Sequence, residues 1–328
     1  MVKKCFLFIV VLIFAQCQIK EQPQYLLRAS LVFNEKHTWN QSFEYFSRIL
    51  AERSSGRLQL EVYHSEQLAK EIEAIRLIQA EVIDMTITSS LLSNWIEIAA
   101  FCEMPFLLQS KEEQVAFIHG PIGQRIEREI IEHTQLRPMT YFLRGPRQLT
   151  SNRPIKRPDD LQGLILRVPN VPSFVTAWSA MGAKPTPMAF SEVFTSLQQG
   201  TIEAQENPFA LILNSGFPEV QKYVNVTEHV MSWGYPVIGE KQFRKLPADL
   251  QGILLTAARD MQAYEQQLFE ANETKVIQQL KEKGMTFVEV DKAAFGKKCE
   301  ATIYNSLSPK MQAVYQEIIA ARENNELK

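Results

Sequence analysis

The sequence lacks the motifs of the common catalytic and metal-binding sites. It contains no GxSxG, SxxK or HExxH pattern, no GxGxxG loop and no phosphate-binding loop. Its four cysteines form no CxxC pair, so neither a zinc knuckle nor a disulfide framework is expected in a chain of 328 residues. The 35 Lys and Arg do not outnumber the 37 Asp and Glu, which argues against nucleic acid as a partner. We therefore expect no catalytic residues, no metal and no cofactor.

Long apolar runs are also scarce, and the one that exists lies at the N-terminus. It covers residues 5–15, follows Lys3 and Lys4, and is too short for a bilayer span of about 20 residues. A cationic start and a short apolar core predict a signal peptide over residues 1–16. The run ends in a sequence that resembles a bacterial lipoprotein signal with Cys17 as the lipidated residue. Cleavage by ordinary signal peptidase is the alternative, so we expect an exported, periplasmic protein, either free or anchored through Cys17.

The mature chain carries enough apolar material for a full core, since 45% of all residues are hydrophobic. Period-two alternation predicts strands at residues 27–33, 58–62, 82–88, 164–168 and 201–205. Helical spacing of apolar residues predicts helices at residues 39–50, 72–78, 171–181 and 191–199. Strands that alternate with helices at this spacing favour parallel α/β sheets.

An unusually long helical pattern runs from about Pro247 to Lys283. Pro247 suits a helix start, and Gly284 suits its end. The apolar stripe breaks at residues 272–275 and resumes on a shifted face. Such a helix suits an element that links two lobes, with two kinked helices as the alternative.

Polar residues at predicted strand ends mark a candidate binding site. Arg167 sits inside the apolar strand 164–168, and Asn207 closes another strand. In parallel α/β sheets, ligands bind at the carboxyl ends of the strands. A buried guanidinium needs an anion, and its planar fork matches a carboxylate. The sequence therefore predicts either a carboxylate ligand at Arg167 or an internal salt bridge to a protein acid.

Several segments in fixed order resemble the DctP-type solute-binding proteins of TRAP (tripartite ATP-independent periplasmic) transporters. They are residues 144–169 (RGPRQLTSNRPIKRPDDLQGLILRVP), 181–194 (MGAKPTPMAFSEVF), 197–200 (LQQG), 205–208 (QENP) and 219–223 (EVQKY). The resemblance runs from Leu26 to about Ile319. It implies an α/β, two-lobe periplasmic-binding-protein-like fold, with a long helix spanning both lobes and a ligand cleft between them. The implied lobes are residues 25–144 plus about 233–272, and residues 145–232 plus about 273–328.

The resemblance also implies roles for individual residues. Arg167 would form the main salt bridge to a ligand carboxylate, and Arg147 and Asn207 would add contacts. Glu71 corresponds to an acid that contacts polar ligands in some members, although Ala69 stands where the family has glycine. Further wall residues are expected from their places after strands and beside these motifs: Phe33, Asn34, His37, Ser89, Ser90, Phe190 and Phe209.

These features together predict a binding protein, not an enzyme. We expect a monomer that captures a small organic acid and delivers it to TRAP permease subunits. A sugar acid is favoured (a hexuronate, or a related aldonate or keto acid), because Glu71, His37 and Asn207 could serve hydroxyl groups beside the arginines. Sialic acid and C4-dicarboxylates are the alternative ligands. A ligand sensor for a signalling receptor, or an exported sugar-acid lyase using Glu71 and His37, are the alternative functions. Cys102 and Cys299 are expected to be unpaired.

Overall fold

The computed structural model describes residues 23–324 and 326–327 of the chain. The predicted signal peptide and Cys17 lie outside the described residues, so both stay predictions. Among the described residues, no helix combines the length and the apolar character needed to cross a membrane.

Strands and helices alternate through much of the described part of the chain. The strands are β1 (Tyr25–Ser30), β2 (Leu58–Tyr63), β3 (Met85–Thr88), β4 (Leu136–Pro138), β5 (Phe142–Arg144), β6 (Arg147–Ser151), β7 (Ile165–Val168), β8 (Lys184–Pro187), β9 (Ala204–Pro208), β10 (Tyr223–Val226), β11 (Ser232–Gly239) and β12 (Thr286–Glu289). The helices are α1 (Thr38–Arg53), α2 (Glu71–Gln79), α3 (Lys111–His119), α4 (Pro121–Thr134), α5 (Pro172–Ala180), α6 (Val193–Gln198), α7 (Phe209–Asn214), α8 (Glu240–Lys245), α9 (Ala248–Glu282), α10 (Lys292–Ser306) and α11 (Pro309–Glu323).

The described strands form two six-stranded sheets, and each sheet is the centre of one lobe. The sheet of lobe I has the order β2-β1-β3-β11-β4, and β5 also pairs with β11. The sheet of lobe II has the order β12-β10-β6-β9-β7-β8. The predicted two-lobe α/β fold is thus confirmed, while the lobe boundaries given above stay a prediction.

Both sheets contain the predicted parallel strands, and antiparallel pairs occur at the strands that link the lobes. β1, β2 and β3 are mutually parallel as expected, and so are β7, β8 and β9. β11 pairs antiparallel with β3, β4 and β5, and β6 pairs antiparallel with β9 and β10. β6 and β11 each follow a chain crossing from one lobe to the other, so they enter their sheets from the opposite direction.

Two predicted strands begin later than their apolar patterns suggest. β3 begins at Met85, because Glu81 takes a left-handed φ of 60° and ends the preceding helix in a turn. β9 begins at Ala204 and not at residue 201, because Gly200, with φ of 72°, carries the chain through a turn first. β9 includes Asn207 near its carboxyl end, which is where the sequence placed this residue.

The long helix predicted near residues 247–283 is α9, one continuous helix of 35 residues. At 1.5 Å per residue it is about 52 Å long. Leu254 and Met261 pack in the same core cluster as α1 and the lobe I strands. Val276 and Leu280 pack instead with residues of α6, α7 and β10 in lobe II. The helix therefore spans both lobes as predicted, and the alternative of two kinked helices is wrong.

Both cysteines in the described residues are buried and free. Burial raises the pKa of Cys299 to about 12 and holds that of Cys102 well above its usual range. The prediction that they are unpaired is confirmed.

A buried acid on α9 gives the fold a specific pH dependence. Glu265 is 1% exposed, and Thr38 Oγ1 donates to its Oε1 at 2.9 Å. Burial raises the pKa of Glu265 from 4.5 to about 8. Because the folded state holds this proton more tightly than the unfolded chain does, the stabilisation is complete below pH 4.5 and is lost as pH rises towards 8.

We therefore expect Glu265→Gln to flatten the pH dependence of stability. In the wild type the unfolding free energy should fall by up to about 1.4 kcal/mol per pH unit between pH 5 and pH 8 from this group alone. Urea denaturation at several pH values measures the slope. Glu282→Gln, exposed on the same helix, is the matched control and should keep the wild-type slope. Equal slopes in the wild type and Glu265→Gln would contradict the assignment.

Candidate functional site

A cavity of about 340 Å³ lies between the two lobes. Its walls come from the loops and helix starts that follow β1, β2 and β3 on one side, and from β6, β7 and β9 on the other. Three contacts across the cleft accompany it. Lys70 Nζ lies 2.5 Å from Glu192 Oε1, and Asn94 and Asn34 each donate to a backbone carbonyl of lobe II, those of Asn170 and Asn214. The lobes are thus closed over the cavity.

The sheet of lobe II brings three predicted residues to this cavity. β7 and β9 are parallel, with Arg167 beside Gln205, so Arg167 and Asn207 approach the same edge of the sheet. β6 is antiparallel to β9, with Arg147 beside Pro208, so the first residue of β6 lies at that edge too. Arg147, Arg167 and Asn207 all line the cavity.

Arg167 is a buried cation that pairs directly with no acid of the described residues. It is 4% exposed, and its Nε and Nη2 donate to the Met188 carbonyl oxygen at 3.1 and 2.7 Å. Among the described residues it has no carboxylate partner within 4.0 Å, so the alternative of an internal salt bridge is not what the structure shows. Burial lowers the pKa of Arg167 to about 10, and the group remains charged at neutral pH. An anionic ligand would supply the missing partner.

Arg147, in contrast, is already paired. Its Nε lies 2.5 Å from Glu206 Oε2, and its Nη2 lies 2.7 Å from Glu206 Oε1. His229 Nε2 lies 2.9 Å from the same Oε2. Burial by itself would raise the pKa of Glu206, but Arg147 and His229 lower it to about 2. This pairing leaves the positive charge of Arg167 available.

Glu71 lies in the lobe I wall as the first residue of α2. Thr88 Oγ1 donates to its Oε1 at 2.9 Å, and burial raises the pKa of Glu71 to about 7. Ala69, in place of the family glycine, does not disturb the turn, because the left-handed residues here are Ser65 and Glu66. Glu71 therefore occupies the position that the motif implies.

The predicted wall residues divide into two groups. Phe33, Ser89 and Phe190 line the cavity, whereas Asn34, His37, Ser90 and Phe209 are not among its lining residues. His37 caps α1, where its Nδ1 accepts from the Trp39 backbone at 3.2 Å. Burial, with a contribution from the Arg144 charge, lowers the pKa of His37 to about 3.

The other three residues outside the lining each have partners of their own. Asn34 Oδ1 accepts from Lys36 N at 3.0 Å, and Ser90 donates its hydroxyl to Glu103. Phe209 lies 5.7 Å from Phe287, ring centre to ring centre, and lines a smaller cavity beside α9.

Sequence reasoning missed part of the lobe I wall: Trp39, Asn40, Glu66, Lys70, Glu103 and Arg144. Arg144 donates to Glu103 at 2.8 Å, and its guanidinium lies 4.9 Å from the ring centre of Trp39. Glu103 could have been found, because it is a lone charge in an apolar stretch, the signal that identified Arg167. Asn40 and Trp39 on α1 carry no such signal.

This arrangement defines a class of protein. The protein has two α/β lobes that are joined by crossing strands and a shared helix. The lobes close over a cavity that contains the Arg167 cation, which is the architecture of a two-lobed solute-binding protein. The chain matches the family model described as "Bacterial extracellular solute-binding protein, family 7" over residues 29–308, and it belongs to that family. It is therefore a TRAP solute-binding protein of the DctP type, a transport protein that acts outside the cytoplasm with membrane permease subunits.

Individual relatives agree with this assignment. A solute-binding protein of Roseobacter denitrificans is 45% identical over 294 residues, which cover 90% of both chains. Its crystal structure, solved with bound L-galactonate, has a TM-score of 0.89 and covers 91% of this chain and 99% of that one. The 2,3-diketo-L-gulonate-binding periplasmic protein of Escherichia coli is 31% identical, covering 76% of this chain and 77% of that one. A Haemophilus influenzae binding protein solved with L-gulonate is 28% identical, with a TM-score of 0.84 and coverage of 93% and 100%.

The Arg147–Glu206 pair yields a stability prediction. Glu206→Gln leaves the buried Arg147 without its counter-charge, so we expect the unfolding free energy to fall by about 3–5 kcal/mol. Urea denaturation at neutral pH measures it. Glu219→Gln, an exposed change in the same lobe, should stay within about 0.5 kcal/mol of the wild type. A loss at Glu206 as small as that of the control would show that the pair does not stabilise the fold.

Proposed function

We propose that this protein captures an aldonate of the L-galactonate type and presents it to a TRAP permease. The observation that carries the proposal is the buried Arg167 guanidinium, which lines the cavity and lacks a carboxylate partner among the described residues. L-galactonate and L-gulonate in two related structures, and 2,3-diketo-L-gulonate in the name of a third relative, support the sugar-acid class.

The mechanism follows from the two-lobe geometry. The ligand carboxylate pairs with Arg167 of lobe II, and its hydroxyl groups meet Glu71 and other polar groups of lobe I. A ligand that contacts both walls favours the closed form by its difference in affinity for the two forms. The permease would then recognise the closed surface. We also propose that the protein is a monomer that releases its ligand unchanged, either free in the periplasm or held at a membrane by Cys17.

The alternative ligands and functions are less well supported. A C4-dicarboxylate would bring a second negative charge towards Glu66 in a cavity wall whose cations Lys70 and Arg144 are already paired with Glu192 and Glu103. The lyase alternative needs a base, but one of its two candidates, His37, caps α1 and does not line the cavity. A cavity of 340 Å³ lies at the low end of the usual range for ligand pockets and suits a six-carbon acid better than sialic acid.

The test is calorimetry of purified protein with L-galactonate, galacturonate, sialic acid and succinate. We expect L-galactonate to bind most tightly. Arg167→Ala should weaken its binding by about 2–5 kcal/mol, or at least about thirtyfold, because it removes one partner of a desolvated charge pair. Arg153→Ala, an exposed arginine of the same lobe, is the matched control and should bind like the wild type.

Three outcomes would contradict the proposal. Unchanged affinity in Arg167→Ala would remove that residue from the site. Tightest binding of succinate or sialic acid would reject the aldonate. Recovery of a chemically altered ligand after incubation would favour the lyase.

A further inference from the structure

The lobe I wall of the cavity contains two buried oxygen atoms that no donor reaches among the described residues. They are Oδ1 of Asn40, on α1, and Oε2 of Glu66, in the loop between β2 and α2. Both residues line the cavity between the lobes. Buried polar atoms are almost always hydrogen-bonded, because a missing partner is costly. Two such atoms on one wall therefore indicate groups that a ligand satisfies.

The orientation of the Asn40 amide follows from the contacts of its nitrogen. Nδ2 lies 2.6 Å from the Phe33 carbonyl oxygen and 2.7 Å from His64 Nδ1. A carbonyl oxygen only accepts, so the nitrogen must face it. His64 Nε2 lies 2.9 Å from Glu44 Oε1, which favours the proton on Nε2 and leaves Nδ1 as an acceptor. Both amide hydrogens of Asn40 are thereby used, and Oδ1 can only accept.

The backbone holds Glu66 in its place at some conformational cost. The residue takes a left-handed φ of 58°, and its N–H donates to the Leu31 carbonyl oxygen at 2.9 Å. Non-glycine residues rarely adopt this conformation, and those that do cluster at functional sites. Burial raises the pKa of the Glu66 carboxyl, although a hydrogen bond with Ser191 and the charges of Lys70 and Arg167 act in the opposite direction.

We propose that Asn40 and Glu66 determine the specificity of this cavity by accepting hydrogen bonds from hydroxyl groups of a polyhydroxylated monocarboxylate. The inference rests on the proposed function, in which Arg167 of lobe II holds the carboxylate. The unpaired acceptors then lie on one lobe and the unpaired cation on the other. A hydroxyl group donates to Oδ1 and Oε2, whereas a second carboxylate cannot donate. It would also repel Glu66, since Lys70 and Arg144 of the same wall are already paired with Glu192 and Glu103. The two residues therefore select aldonates and reject the corresponding dicarboxylates.

A matched pair of ligands tests this selection. L-galactonate and galactarate share one six-carbon chain and differ at the terminal carbon, a hydroxymethyl group in the first and a carboxylate in the second. We expect the wild type to bind L-galactonate at least about tenfold more tightly than galactarate. Glu66→Gln should weaken L-galactonate binding about tenfold and should narrow the preference over galactarate, because it removes a negative charge.

Further variants separate the possible outcomes. Asn40→Leu, of similar size, should also weaken L-galactonate binding about tenfold, while Glu73→Gln, exposed on α2 outside the cavity, should bind like the wild type. If Asn40→Leu does not fold, the ratio of the affinities of Glu66→Gln for L-galactonate and galactarate decides the test. Wild-type affinity in both variants would overturn the inference and leave the proposed function standing. Failure of the wild type to bind any aldonate would instead overturn the proposed function, and this inference with it.

Discussion

The site depends on one uncompensated charge, the guanidinium of Arg167. Burial disfavours a charged group, and this one has only a backbone carbonyl as its direct partner among the described residues. The neighbouring Arg147 differs, since its Nε and Nη2 are paired with the Glu206 carboxylate. This contrast leaves Arg167 as the arginine whose charge a ligand carboxylate can balance. A site with both arginines free would suit a dianion.

Sheet topology brings these groups together. Arg167 and Asn207 reach one edge because β7 and β9 are parallel, and Arg147 reaches it because β6 runs the other way. The reversed strands are the ones that follow chain crossings between the lobes. The crossing from β5 to β6 therefore also reaches the cavity, because Arg147, the first residue of β6, lines it.

Much of this fold could be predicted from local pattern. The apolar stripe of α1 and the length of α9 are properties of short stretches of sequence, and the structure confirms both. Arg167 could be identified because a single charge in an apolar strand is costly to bury without a partner. His37 could not be placed in the same way, since its polar atom serves the local helix cap. The Arg144–Glu103 pair joins residues 41 positions apart, a distance that no local pattern reports.

The closed lobes are fastened at the cleft mouth by the bridge between Lys70 and Glu192, whose side chains are about half exposed, at 50% and 49%. An ion pair open to solvent is screened by dissolved salt, while contacts inside the cavity are screened far less. At high ionic strength the Lys70–Glu192 pair would weaken first, while the contacts inside the cavity would change little. The residence time of the bound ligand would then depend on ionic strength more than the equilibrium preference for one ligand over another does.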